Sequence, residues 1–258
     1  MVDYDEAEAR KTDRAYITPD VTRQRMRTLS ALHLNVGETV LDVGCGTGLL
    51  SYDMATLVDT SGRVVGVDLS ADMLKLARQR CSDLPQVELK QSGAEDLPQE
   101  DASFDAVTCI QVLLYVADVE TALAEMYRVL KPGGRIAIIE TEWRGMVLNS
   151  FDDTLTRKMV AAWDAAVPSP NLPLRLNRMM KEANFASIDV DAIPIVNSSR
   201  AAGGYSGGMM EQFAHYAREQ DRVSAEESKA WLDDLDSKSE EGSYFFCVNR
   251  FIFTAVKV

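Results

Sequence analysis

Apolar and polar positions divide the chain into short apolar runs that alternate with amphipathic stretches. Val40-Leu41-Asp42-Val43 is one such run, broken by a single acid and followed at once by Gly44, Gly46 and Gly48. A short apolar run bounded by a turn signal reads as a strand buried on both faces of a parallel sheet. The stretch LLSYDMATLV behind it has helical spacing, so strand, glycine turn and helix follow one another. RVVGVD, VELKQ, FDAVTCI and RIAIIE repeat the strand signature. The helices ADMLKLARQRC and DVETALAEMYRVL lie among them, and KPGG stops the second. Strands alternating with helices at this spacing predict a parallel sheet with right-handed crossovers.

The flanks are read the same way. Residues 1–18 are polar with Tyr4 and Tyr16, and predict a short helix and a loop. Pro19 suits the first turn of a helix running to His33, with Thr18 available as its cap. Val21, Met26, Leu29 and Leu32 give that helix one apolar face. Beyond Trp143 the rhythm loosens. FDDTLTRKMVAAWDAAV and LPLRLNRMMKEANF predict helices, and ASIDVDAIPIV a sixth strand. Residues 197–243 form an insertion with a glycine cluster, GGYSGG, and two helices. GSYFFCVNRFIFTAVKV closes the chain as an aromatic-rich strand, expected antiparallel in the same sheet. The predicted architecture is one α/β domain over 1–258, a doubly wound, Rossmann-like seven-stranded sheet with an antiparallel last strand. A helical cap (1–35) and two lid insertions (143–170 and 197–243) complete it.

Composition narrows the classes of function. A formal net charge of -13 over 258 residues, with no basic stripe, disfavours a nucleic-acid partner. Cys45, Cys81, Cys109 and Cys247 are scattered without C-x-x-C spacing or a histidine cluster. They predict neither disulfides nor a metal site, but small apolar residues in a reducing compartment. No run is apolar or long enough to span a membrane or serve as a leader, so a cytoplasmic protein with no membrane partner is expected.

The glycine turn sets the chemistry. Bare backbone at the end of a strand lets a ligand lie close, and the following helix points free N–H groups at it. Here the third glycine falls four residues after the first, one short of the dinucleotide fingerprint, and Asp42 stands two residues before Gly44. This D-x-G-x-G-x-G pattern resembles the first motif of the class I S-adenosylmethionine-dependent methyltransferases. LLYVADVETALAEMYRVLKPGG closely resembles the family's segment from the fourth strand to the fifth. The resemblance covers roughly residues 36–141 and extends weakly to 196. It implies a methyltransferase of the broad type that includes the ubiquinone and menaquinone C-methyltransferases. S-adenosylmethionine would be its cofactor, S-adenosylhomocysteine the product and a small molecule the acceptor.

Candidate site residues follow. Gly44 and Gly46 would lie against the methionine moiety, with Asp42 a carboxylate near its ammonium. Asp68, at the end of the second strand, can accept bonds from both ribose hydroxyls. Leu69 offers an apolar bed for adenine. The resemblance places Gly93, Ala94 and Glu95 beside adenine, although Gly93 stands where relatives often carry an Asp. It also places the backbone of Gln111 against the ammonium. Tyr16 and Arg25, with Tyr4, are candidates to close over the cofactor. Tyr115, Trp143, Tyr205 and Tyr244 are candidates for the acceptor pocket, whereas Asn249 and Arg250 are expected deeper in the strand, as structural residues. For catalysis His215 is a candidate base, or else a solvent-facing helix residue, and Tyr115 a second candidate. The competing reading is an S-adenosylmethionine-binding regulator or partner subunit without turnover.

Overall fold

The computed structural model describes residues 6–200 and 204–258; Tyr4 and Gly203 lie outside them. Among the described residues, eight strands form one sheet: β1 (Thr39–Val43), β2 (Arg63–Asp68), β3 (Val87–Gln91), β4 (Phe104–Ile110), β5 (Leu130–Thr141), β6 (Val147–Leu148), β7 (Phe185–Asn197) and β8 (Phe246–Lys257). The order is β3-β2-β1-β4-β5-β8-β6, with β7 on β8. β1 to β5 pair in parallel, and β8 runs antiparallel to β5 and β7. The α/β class and the antiparallel last strand are as the sequence predicts.

The sheet has one more strand than expected, because β6 is only two residues long and carries no periodicity. It pairs Val147 with Cys247 and Leu148 with Phe246. It therefore prolongs the edge that β5 leaves at Thr141, after a 3-10 turn at Trp143–Gly145.

Period-two alternation sorts the strand residues into two cores. Leu41, Val43, Val65, Val67, Val107, Ile136 and Ile138 pack on one face, and Val40, Val64, Ala106, Ala137 and Ile139 on the other. Lys131-Pro132-Gly133-Gly134 ends helix α5 (Val119–Val129) and forms a bulge in β5. Leu130 opposes Phe104, and the register resumes at Arg135 opposite Ala106.

Helices α1 (Glu6–Tyr16) and α2 (Pro19–Leu32) precede the sheet, and α3 (Leu49–Val58) and α4 (Ala71–Arg80) follow β1 and β2. Pro19 does occupy the first turn of α2, but Thr18 does not cap it. Its hydroxyl donates backwards to the carbonyl of Ala15 at 2.8 Å. Met26 is exposed, so the inner face of α2 runs through Val21, Gln24, Thr28, Leu29 and Leu32. The second half adds α6 (Asp153–Ala166), α7 (Pro173–Glu182), α8 (Tyr205–Glu219) and α9 (Ala225–Glu240).

Gly207 and Gly208 lie in the first turn of α8. Met210 and Phe213 are buried, and Met209 is packed against the same core. The Phe213 ring lies 4.9 Å from that of Trp143, and Trp163 is 6.5 Å from Trp143. These side chains form a wall that shares one core with Val107 and Ile138 of the central strands. Among the described residues, no helix is long and apolar enough to cross a membrane.

Candidate functional site

The carboxyl ends of β1, β2 and β4 meet at one edge of the sheet, where the chain must turn three times. The first turn is the glycine loop. Gly44, Gly46 and Gly48 all adopt left-handed backbone, with φ of 71°, 52° and 79°. Their surroundings differ. A Cβ on Gly44 would fall 2.1 Å from a methyl of Val112, and one on Gly48 2.9 Å from the Cβ of Ala77. A Cβ on Gly46 would meet only the ring of Tyr16, at 4.0 Å. Gly44 and Gly48 are thus glycines for packing, and Gly46 fronts open space.

Asp68 closes β2 onto this loop. Its Oδ2 accepts from the Gly46 amide at 2.8 Å, and its Oδ1 from the Ser70 amide at 2.9 Å. Burial pushes its carboxyl up from the usual range, against the pull of those amides. The Leu69 amide bonds the same carboxyl, which with about four lone-pair sites still has capacity for a hydroxyl donor. Leu69 is exposed beside it, and its side chain lies 3.5 Å from where a Gly93 Cβ would be. Ala94 is buried next to them. Asp68, Leu69 and Gly93 are therefore brought together, with Ala94 next in the chain. Glu95 is exposed and its Oε1 accepts from the Asp118 amide at 3.0 Å, so its carboxylate serves the turn before α5.

The third turn is Gln111, directly after β4, with φ of 58°. A non-glycine residue in this region is strained and persists only where its surroundings hold it. Its amide and Nε2 both donate to the Ile139 carbonyl, at 2.8 and 3.1 Å, and its Oε1 accepts from the Thr141 hydroxyl at 2.6 Å. Glu140, buried at the end of β5, accepts from the amides of Leu113 (2.8 Å) and Val112 (3.2 Å), which fixes the chain beyond the turn. Burial pushes Glu140 up to about 8, outweighing those amides and nearby Arg250. Asp42 is likewise pushed up, to about 7, and accepts from the Ser51 hydroxyl at 2.5 Å.

Between the glycine loop, Gln111 and α2 lies a cleft. Asp42, Gly44, Thr47 and Gln111 line one side, and Tyr16, Gln24, Arg25 and Thr28 the other. Tyr16 and Arg25 thus stand where a closing role requires. Arg25 is already engaged, donating through Nε to Asp53 at 2.6 Å. The helix α1 is fastened over the loop by Asp13, which accepts from the Thr47 hydroxyl at 2.6 Å and from Arg80 at 3.0 Å.

Three expectations need correction. His215 is exposed on the outer face of α8 and does not line the cleft. The inner face is set by Met210, Phe213, Ala214 and Ala217, and the helical period turns His215 away from them. Tyr115 is half-buried in the 3-10 turn Leu113–Tyr115 and also lies outside the cleft lining. Arg250, expected to be structural, is buried and lines the cleft. Its signal was present as a charge in the middle of the aromatic-rich strand β8. Gln24, Thr47 and Glu140 carried no local signal. The other acceptor-pocket candidates, Trp143, Tyr205 and Tyr244, are buried and also lie outside the cleft lining, with Trp143 and Tyr205 stacked at a ring-centroid distance of 6.4 Å.

The arrangement fits the cofactor that the resemblance implies. Gly46 presents bare backbone with room for added atoms, Asp68 holds that backbone through its amide, and Arg25 and Gln111 line the cleft with Gly44. Among the described residues, no cluster of His, Cys, Asp and Glu is placed to hold a metal ion.

Comparison with known proteins agrees. Residues 41–138 match the family described as "Methyltransferase domain". The chain is 34% identical, over 229 residues, to an uncharacterized 37.1 kDa protein in a transposon of Streptomyces fradiae, covering 88% of this chain and 65% of that one. It is 45% identical over 119 residues to a demethylmenaquinone methyltransferase of Oceanobacillus iheyensis, covering 45% and 50%. In both cases less than two thirds of the relative's length is spanned. A phosphoethanolamine N-methyltransferase of Haemonchus contortus, solved with S-adenosylhomocysteine, shares the fold. Its TM-score is 0.64 at 19% identity, over 98% of this chain and 58% of that one.

Proposed function

This chain carries a class I S-adenosylmethionine-dependent methyltransferase domain, and from that premise we propose that it is an enzyme transferring a methyl group to a small-molecule acceptor. The observation that carries the reading is the glycine loop held by Asp68. The Asp68 carboxylate holds bare backbone at Gly46, and Gly44 of the loop lines one cleft with Gln111. The demethylmenaquinone methyltransferase relative supports a small-molecule acceptor. So does the net charge of -13, which disfavours nucleic acid.

The cofactor, when bound, supplies an activated methyl group on a good leaving group. The protein's part is then to bind, orient and exclude water. Asp68 would hold the ribose, Leu69 with Gly93 and Ala94 the adenine, and the backbone around Gly44 and Gln111 the methionine end. Tyr16 and Arg25 would cover it from α1 and α2. No histidine stands in the cleft, so in this reading alignment rather than a histidine base carries the acceleration.

Calorimetry with S-adenosylmethionine, S-adenosylhomocysteine and NAD tests the first step: the first two bind and the third does not. Asp68→Asn should raise the S-adenosylhomocysteine Kd by about tenfold or more, since hydrogen bonds to a charged acceptor are worth about 1.5–3 kcal/mol each. A folded Asp68→Asn protein with unchanged affinity removes the ribose assignment. A methyl-transfer screen over quinols, phenols and carboxylic acids then separates an enzyme from a binding protein without turnover.

A further inference from the structure

Arg250 is a buried charge that the protein itself does not match. Its residue exposure is 2%. A guanidinium keeps its charge inside proteins, and burying a charge is costly unless it is paired. Nη1 of Arg250 donates to Oε1 of Gln24, and Cζ lies 4.6 Å over the ring of Tyr205. Nε has no partner. Among the described residues, no carboxylate is recorded in ion-pair contact with it. The acids nearby are otherwise occupied. Glu140 spends an oxygen on two backbone amides and is pushed up to about 8 by burial, so it is largely uncharged at neutral pH. Asp42 is bonded to Ser51.

Arg25 makes the contrast. It lines the same cleft, but its charge is met by Asp53 at 2.6 Å. Of these two guanidiniums, Arg250 is the one left for a ligand to neutralise. Its place in the sheet is also informative. Arg250 stands in register with Thr141 of β5, whose hydroxyl holds the Gln111 side chain. It is therefore beside the turn where the methionine end of the cofactor would lie, and below the stacked rings of Tyr205 and Trp143.

We propose that Arg250, positioned by Gln24 and Tyr205, binds an anionic oxygen group of the methyl acceptor, so that the substrate is a small molecule carrying a carboxylate or an equivalent oxyanion. This rests on the methyl-transfer reading above. A protein of net charge -13 offers anions no general attraction, so their capture must be local.

The test uses the full chain saturated with S-adenosylhomocysteine. Formate, acetate, benzoate and inorganic phosphate are titrated by calorimetry and thermal shift, with formamide, acetamide and benzamide as neutral counterparts. At least one carboxylate or phosphate should bind, with any matched amide at least tenfold weaker. Arg250→Met should weaken anion binding at least tenfold while the S-adenosylhomocysteine Kd stays within threefold. Arg250→Lys should keep part of it. Should Arg250→Met fail to fold, Gln24→Leu, which leaves the charge but frees its position, should weaken the same anion several-fold. The proposal is overturned if no anion binds the saturated wild type, or if anion and amide bind alike. It is equally overturned if Arg250→Met keeps the anion response, or if it loses S-adenosylhomocysteine tenfold, which would assign the charge to the cofactor's own carboxylate. Failure of wild-type protein to bind S-adenosylhomocysteine at all would instead sink the methyl-transfer reading, and the anion titration of the free protein would then stand as the separate result.

Discussion

At the scale of single residues, the two inner glycines of one loop have different reasons to be glycine. Gly44→Ala would drive a Cβ to within 2.1 Å of Val112 at φ of 71°. Left-handed strain of about 1–2 kcal/mol and overpacking of about 1–3 kcal/mol should add, and the midpoint of urea unfolding should fall accordingly. Gly46→Ala carries the strain but meets only Tyr16 at 4.0 Å, so it should fold and lose S-adenosylhomocysteine affinity about tenfold. Wild-type affinity in Gly46→Ala would leave the loop a structural turn only. Glu140 gives a pH signature. Its carboxyl stands at about 8 in the fold against an ordinary 4.5, so between those values the native state holds a proton that the unfolded chain releases. Its contribution to stability therefore declines as pH rises from roughly 4.5 to 8, by up to about 1.4 kcal/mol per pH unit. Glu140→Gln should remove that slope, gaining on wild type in urea midpoints from pH 5 through 7 to 9. A gap independent of pH would show that the carboxyl is not held protonated. Asp68 and the glycines were legible because their roles follow from backbone chemistry at fixed short spacing. Arg250 was misjudged because β8 overshoots: its first four residues run past the end of β5 to meet β6 and β7, so the sheet edge falls at Arg250 and not at Tyr244.

At the scale of elements, α1 and α2 act as a strap over the cleft. Their existence was legible from Pro19 and the apolar positions of α2, but the fastening was not. Asp13, Thr47 and Arg80 come from three separate elements, and nothing local joins them. Asp13→Ala should free α1 at a cost of about 1–3 kcal/mol, most of it the Thr47 and Arg80 donors left with less to bond. Hydrogen exchange should then show residues 6–16 less protected in the variant, and wild-type protection of this segment should rise with S-adenosylhomocysteine. Equal protection of α1 in variant and wild type would mean that packing alone holds it. The helix α8 shows the opposite case. Positions 210, 213, 214 and 217 already mark its inner face by period, so the outward direction of His215 was readable from the pattern.

At the scale of the whole molecule, the question is whether the helical insertion is a lid or part of the fold's own core. Strand order, parallel pairing and the antiparallel last strand were legible because apolar runs of strand length alternate with amphipathic helices. The placement of α6, α8 and α9 was not, since packing of one helix on another depends on shape rather than period. In the structure, Met210, Phe213, Trp163 and Trp231 belong to one continuous core with Val107 and Ile138 of the central strands. Continuous burial of that kind couples the parts, and a chain so built should unfold as one unit. The tryptophans provide the test without a label. All 3 of them, Trp143, Trp163 and Trp231, lie in or against the insertion wall and are at most 5% exposed. Their fluorescence therefore reports the wall, whereas far-UV circular dichroism reports sheet and helices together. In urea the two signals should trace one transition with one midpoint. Phe213→Ala, which empties the centre of the wall, should shift both midpoints together by the equivalent of about 3–5 kcal/mol. A fluorescence transition that precedes the loss of circular dichroism would make the insertion at 197–243 a separable lid.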